Sequence, residues 1–180
     1  MIDALGEWMM QPVYYAGYGR REFPRSGARH PSIAPYGPYR AADGMVYLGI
    51  QSDREWQALC REILGRPELG ADPRFVHNPE RVEHNDEIQP LVEAAFAGRT
   101  VREVMAALEE CGIACAEMRR PEELLIHPQL AARDRWREVG SPGGPIQALL
   151  PPVVVPGREA AMGAVPRLGE HTDALRAEFG

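Results

Sequence analysis

The residues best suited to chemistry sit close together in an arm rich in proline and glycine. Arg29 and His30 are adjacent in SGARHPSIAPYG. Such a pair can hold a carboxylate, the guanidinium by a bidentate fork and the imidazole by one donor; it reads equally as a solvated loop pair. Tyr36 and Tyr39 flank Gly37 in APYGPYR, where flat rings either wall a pocket and offer a hydroxyl or pack the arm onto its own body. Gln51 closes the run MVYLGIQ and can point an amide at a ligand or turn to cap the next helix. None of these six positions is a nucleophile, so the arm is suited to lining or covering a substrate rather than attacking it.

Other reactive types are scattered. Asp3 and Glu7 lie one helical turn apart and share a face, a spacing that serves a solvated helix as well as paired acid and base carboxylates. Cys60, Cys111 and Cys115 are an odd count, which suits reduced core thiols. Cys111 and Cys115 have no neighbouring His or second Cys pair to complete a zinc site. His77, His84 and His127 lack ligand spacing, and His171 reads as a cap before Thr172. No GxSxG elbow, HExxH helix, phosphate loop or dinucleotide fingerprint is present.

Composition narrows the class. With 180 residues, 44% hydrophobic and 26% charged, the chain has the profile of an ordinary globular protein. No apolar run approaches the ~20 residues of a membrane span, and the opening MIDALGE is no secretory signal, so no membrane partner and a cytoplasmic location are expected. The formal charge is −6 without a basic cluster, which argues against nucleic acid. Every basic residue is Arg, a pattern of coding bias more than of chemistry.

Several elements must position the arm. Residues 1–15 carry a helix-like apolar face at Leu5, Trp8, Met9 and Met10. Residues 16–44 hold too many Gly and Pro for regular structure and read as an extended arm. A buried strand is expected from Met45 to Ile50. A helix follows with a Ser52/Glu55 capping box and an apolar face at Trp56, Leu59, Cys60, Ile63 and Leu64, ending at Gly65. Asn78-Pro79 opens another helix, with a kink or break expected at Pro90. Thr100/Glu103 caps a third, with Val101, Val104, Met105 and Leu108 inward and Gly112 at its end. IACAEM reads as a short strand and Pro121 as the start of a fourth helix. The chain loosens after Trp136, LLPPVVVPG reads as an extended apolar segment, and a charged helix closes the sequence. This gives an α/β organisation of residues 1–44 (helix and arm), 45–125 (small α/β domain) and 126–180 (C-terminal segment).

The order of these pieces resembles a family. GARHPSIAPYGPYRAADGMVYLGIQSDREWQALCREILG, DPRF with NPERVEHNDEI, CGIACAEM, PEELLIHPQL and RLGEHTDALRAEFG together are similar to the second half of the family III CoA-transferases, the formyl-CoA and carnitine CoA-transferases among them. The resemblance implies the small α/β domain of a two-domain enzyme, with flanking helical segments that belong to a larger Rossmann-like domain. It implies an acyl-CoA and a small carboxylic acid as substrates, coenzyme A entering as a thioester with no tightly bound cofactor. It also implies an Asp nucleophile that forms mixed-anhydride and thioester intermediates, and dimers interlocked like chain links. In that family the catalytic Asp and most CoA-binding residues precede the helix that MIDALGEW resembles, so no catalytic residue is expected here, Asp3 included. An N-terminal half or second subunit would supply the nucleophile, and the chain alone would be inactive. Residues 27–39 resemble the cover over the acyl group. They carry Ala28, Arg29 and His30 in place of a glycine run, which would suit a C4 or C5 dicarboxylic acid. Two other readings stand beside this one: half of an α-methylacyl-CoA racemase, for which Gln51 and Ser52 replace an expected Glu, and a non-catalytic interaction module.

Overall fold

A three-stranded antiparallel sheet is built around the strand expected from MVYLG. In the computed structural model, which describes residues 1–20 and 25–180, β2 (Met45–Gly49) lies between β1 (Tyr36–Arg40) and β3 (Ala114–Glu117). Tyr36 pairs with Gly49, Pro38 with Tyr47 and Gly49 with Ala114. Arg21 and Pro24, read above as part of the arm, lie outside the described residues.

The first strand corrects the expectation that residues 16–44 lack regular structure. Bonded pairs at Ala41 with Gly44 and at Ile50 with Pro35, carried along the ladder, turn the nitrogen of Pro38 away from β2. Proline is tolerated on an edge strand in that orientation, because no ladder hydrogen bond is lost.

Helices from the middle of the chain cover one face of the sheet. The chain forms α1 (Ile2–Trp8) and α2 (Met10–Gly17), divided at Met9, then α3 (Asp53–Ala58), α4 (Asn78–Glu83), α5 (Asn85–Phe96) and α6 (Val101–Glu110). Alternate strand residues Tyr39, Val46 and Leu48 meet Trp56, Leu59, Cys60, Ile88, Val92, Phe96, Val104 and Leu108 in one core. Each large apolar side chain buried there contributes roughly 1.5–3 kcal/mol.

Local signals explain most of these elements. Ser52 Oγ accepts from the Glu55 N–H, and Thr100 with Glu103 closes a complete capping box. At the first of these the Glu55 carboxylate reaches the Gln51 N–H, at 2.6 Å, instead of that of Ser52. The α3 helix runs on through a π-helical turn over Leu59–Ile63. The break expected at Pro90 occurs at His84, between α4 and α5. α5 passes through Pro90, which has no N–H to donate to the helix.

Residues 119–180 form a second compact unit. A 3₁₀ turn at Pro121–Ile126 leads into α7 (Pro128–Ala132), a hairpin of β4 (Trp136–Val139) and β5 (Ile146–Leu149), and α8 (Thr172–Phe179). The hairpin corrects the expectation of a loose chain after Trp136. His171 precedes α8 without a side-chain cap bond.

Candidate functional site

The arm is seated by donors and acceptors from the first unit. Prolines leave main-chain carbonyls without the reciprocal N–H that a ladder needs, so the partners come from side chains. Asn78 Oδ1 accepts from the Ala34 N–H at 3.1 Å, and Asn78 Nδ2 donates to Ser32 O at 2.9 Å. Arg81, 1% exposed, donates to the carbonyls of Ala34, Phe75 and Val76 and to Asp53 Oδ1 at 3.0 Å. Its guanidinium lies 5.6 Å from the Trp56 ring centroid. Asp53 in turn meets His77 Nδ1 at 2.9 Å, and His77 followed by Arg81 holds its carboxyl below the usual carboxylate range. Tyr47 donates to Ala28 O at 2.8 Å, and the His30 N–H to Tyr36 O at 3.0 Å.

The six expected residues fall into two groups. His30 stacks on Tyr36, ring centroids 5.2 Å apart and planes inclined by 22°, and Tyr47 meets Tyr36 edge-on at 5.8 Å. The Tyr36 ring rests on Gly49, where a Cβ would come within 2.9 Å of it. These three rings form a half-buried ledge on the face of the sheet opposite the core.

Arg29 turns the other way. Its guanidinium lies 5.3 Å from the Tyr39 ring centroid, and Nη2 stands 3.6 Å from Glu93. Its stem crosses Gly37, where a Cβ would meet Arg29 Cγ at 2.8 Å. Tyr39 is a core residue, edge-on to Phe96 at 5.9 Å, and burial pushes its hydroxyl up to about 12. Arg29 Nη1, the Tyr39 hydroxyl and Gln89 Oε1 are buried without a bond of hydrogen-bonding geometry. The structure therefore brings His30 and Tyr36 together and Arg29, Gly37 and Tyr39 together. Gln51 is exposed at the β2–α3 junction.

Sequence reading missed Tyr47, Ser32, Asn78, Arg81 and Glu93. Arg81 carried no local signal, since the break at His84 separates it from the apolar face of α5. Burial pushes the Cys60 thiol up to about 12 and raises Cys111 and Cys115, which disfavours the thiolate at each. Among the described residues no His, Cys, Asp and Glu cluster is arranged to hold a metal, and no helix is long and apolar enough to cross a membrane. A cleft of about 660 Å³ in the second unit is lined by Arg135, Arg137, Arg158 and Val153 to Val155, none of them expected site residues.

This arrangement of strands and helices has known relatives. A family model described as CoA-transferase family III matches residues 1–172. The chain belongs to that family. It is 36% identical over 163 residues to an acyl-CoA transferase of Fusarium pseudograminearum, covering 88% of this chain and 36% of the relative. It is 31% identical over 160 residues to the acetyl-CoA:oxalate CoA-transferase of Acetobacter aceti, covering 86% and 39%. Among solved structures, a CAIB/BAIF family protein from Brucella suis superposes with a TM-score of 0.70 at 26% identity, over 94% of this chain and 44% of that one. The α/β fold expected for a family III member is thereby found. The chain spans less than half the length of these relatives.

Proposed function

We propose that this family III chain supplies the acid-facing wall of an acyl-CoA:carboxylate CoA-transferase, with the nucleophilic Asp and most of the CoA-binding surface on polypeptide outside these 180 residues. In this reading residues 1–44 provide a helix and the arm that covers the acyl group, 45–125 the small α/β domain that carries the arm, and 126–180 the segment that returns to the large domain. His30 and Tyr36 face the acid and Gln51 stands at the end of their ledge. Arg29, Gly37 and Tyr39 complete the arm from below. The full-length form is an interlocked homodimer.

The observation that carries this reading is the family match along residues 1–172. Relatives named for small dicarboxylic acids, a succinate–glutarate CoA-transferase of Agrobacterium fabrum and a succinyl-CoA:D-citramalate CoA-transferase of Chloroflexus aurantiacus, support a C4 or C5 dicarboxylate as the acid.

Purified chain is incubated with succinyl-CoA and glutarate, and acyl-CoA products are separated by chromatography. No exchange is expected from the chain alone, and glutaryl-CoA is expected once a relative's nucleotide-binding half is supplied as a separate polypeptide. Exchange by the chain alone that survives Asp3→Ala overturns the reading.

A further inference from the structure

The arm contains one imidazole whose protonation pattern is written in its hydrogen bonds. The Ser32 main-chain N–H donates to His30 Nδ1 at 3.2 Å, and Ser32 Oγ lies 3.4 Å from the same atom. A main-chain N–H has no alternative role: it donates, so Nδ1 must present a lone pair. In the neutral ring the proton then resides on Nε2. Tyr15 O–H donates to Ser32 Oγ at 3.3 Å and holds that hydroxyl beside the ring.

Nε2 has no hydrogen bond or ion pair with any described residue and is not shut away from solvent. The ring itself is not free to turn and use that donor internally. It is stacked on Tyr36, and its own main-chain N–H is fixed to Tyr36 O. The Tyr36 hydroxyl has no hydrogen bond with any described residue, and Tyr36 is half-buried. Two neutral donors thus stand on stacked rings, while the neighbouring cation Arg29 is engaged with Glu93 and the Tyr39 face.

We propose that His30 binds the carboxylate of the acid substrate through its neutral Nε2–H, in a tautomer set by the Ser32 main-chain N–H, with the Tyr36 hydroxyl as second donor. This rests on the CoA-transferase reading and adds to it the atom that meets the acid. A carboxylate presents two acceptor oxygens, and neutral donors hold it without the desolvation penalty of a buried ion pair.

The test is long-range ¹⁵N–¹H spectroscopy of the imidazoles in the ¹⁵N-labelled chain under mildly alkaline conditions. The His30 signals, assigned by their loss in His30→Ala, are expected in the Nε2-protonated pattern. Succinate raised to about 50 mM, enough to load a site of millimolar affinity, is expected to shift them saturably and to leave His77, His84 and His171 unmoved. His30→Gln, which keeps an amide donor, is expected to retain the succinate-induced shifts of the Tyr36 and Tyr47 amides. His30→Ala is expected to weaken them about tenfold, the loss of one hydrogen bond. An Nδ1-protonated pattern, no His30 shift, or equal shifts at all five imidazoles overturns the proposal. CoA exchange is read separately, with the nucleotide-binding half supplied: exchange with a silent His30 keeps the transferase and removes this residue, whereas a responding His30 without exchange does the reverse.

Discussion

Two proline-rich segments of similar appearance meet opposite fates. Residues 28–38, ARHPSIAPYGP, are held by Asn78, Arg81 and Tyr47 and end inside a strand. Residues 149–157, LLPPVVVPG, are fixed near Leu150, where Arg135 exchanges bonds with the Leu150 main chain and donates to Pro151 O. Beyond that, Val153, Val154 and Val155 are 75%, 66% and 48% exposed. Prolines remove donors from both. The difference lies in what the neighbouring scaffold returns. The first segment faces a helix bearing an amide and a buried guanidinium, whereas in the second side-chain bonds reach only the carbonyls of Leu150 and Pro151, from Arg135. Order in such a segment is therefore a property of its seat.

Removing the seat tests this most severely. Arg81→Ala deletes bonds to three carbonyls and leaves the Asp53 charge without its buried partner. Asp53 is half-exposed and keeps His77, so the cost falls on the carbonyls left without a donor; a loss of about 2–4 kcal/mol is expected, measured by urea denaturation, together with loss of the His30 signature described above. A loss below about 1 kcal/mol would mean that the arm is held by its own packing and that the two segments differ for another reason.

The glycines beneath the arm come next. Gly37→Ala drives a methyl into the Arg29 stem and Gly49→Ala drives one into the Tyr36 ring. Overpacking of this kind is expected to cost about 1–3 kcal/mol. The sharper readout is which group moves: near-UV dichroism of the tyrosines should respond strongly to Gly49→Ala, whose methyl meets a ring, and weakly to Gly37→Ala.

These residues also mark what was legible in the sequence. The β2 strand, α3 and α6 were readable because their cues are local: an apolar run, or a hydroxyl three residues before a carboxylate. The β1 strand was not, because Gly37 and Pro38 break regular structure almost everywhere except on an edge whose nitrogen faces outward. The β4–β5 hairpin was hidden in the same way by SPGGP, which reads as looseness and serves as its turn. In the site, the chemistry-bearing types Arg29, His30 and Tyr36 were visible, but their directions were not. Adjacent side chains on an irregular arm share no periodicity, and only the Arg29–Glu93 and His30–Tyr36 contacts assign them to opposite sides. Arg81 was hidden because arginine on a helix is ordinarily solvated, and the break at His84 removes any shared face with Ile88.

A smaller effect separates the segments by pH. Asp53 lies below the usual carboxylate range because of His77 first and Arg81 second, so it binds fewer protons folded than unfolded. Its contribution is complete above the ordinary value of about 3.9 and is lost as pH falls through the lower folded value. The stability difference between the wild type and Asp53→Asn should therefore shrink as pH is lowered from about 5 to 3. A constant difference would remove Asp53 from the seat. The 149–157 segment has no carboxylate and should follow the rest of the chain.

The smallest effect is the most informative about the exposed segment. Val154→Ser replaces an apolar side chain that touches water, so stability should change by no more than about 0.5 kcal/mol. A solvated valine run in a chain whose reported relatives are more than twice its length is, however, a surface that a second polypeptide can cover. If residues 126–180 return to a large domain, the same substitution should weaken association with a separately supplied nucleotide-binding half, read by sedimentation, while leaving denaturation of the chain unmoved. Equal association would leave the valines without a covering surface, and a large loss of stability would show that they already have one within the chain. The two proline-rich segments are distinguished by this pair of measurements, since Arg81→Ala should do the opposite: unseat the arm and destabilise the chain, with its effect on association following from that loss.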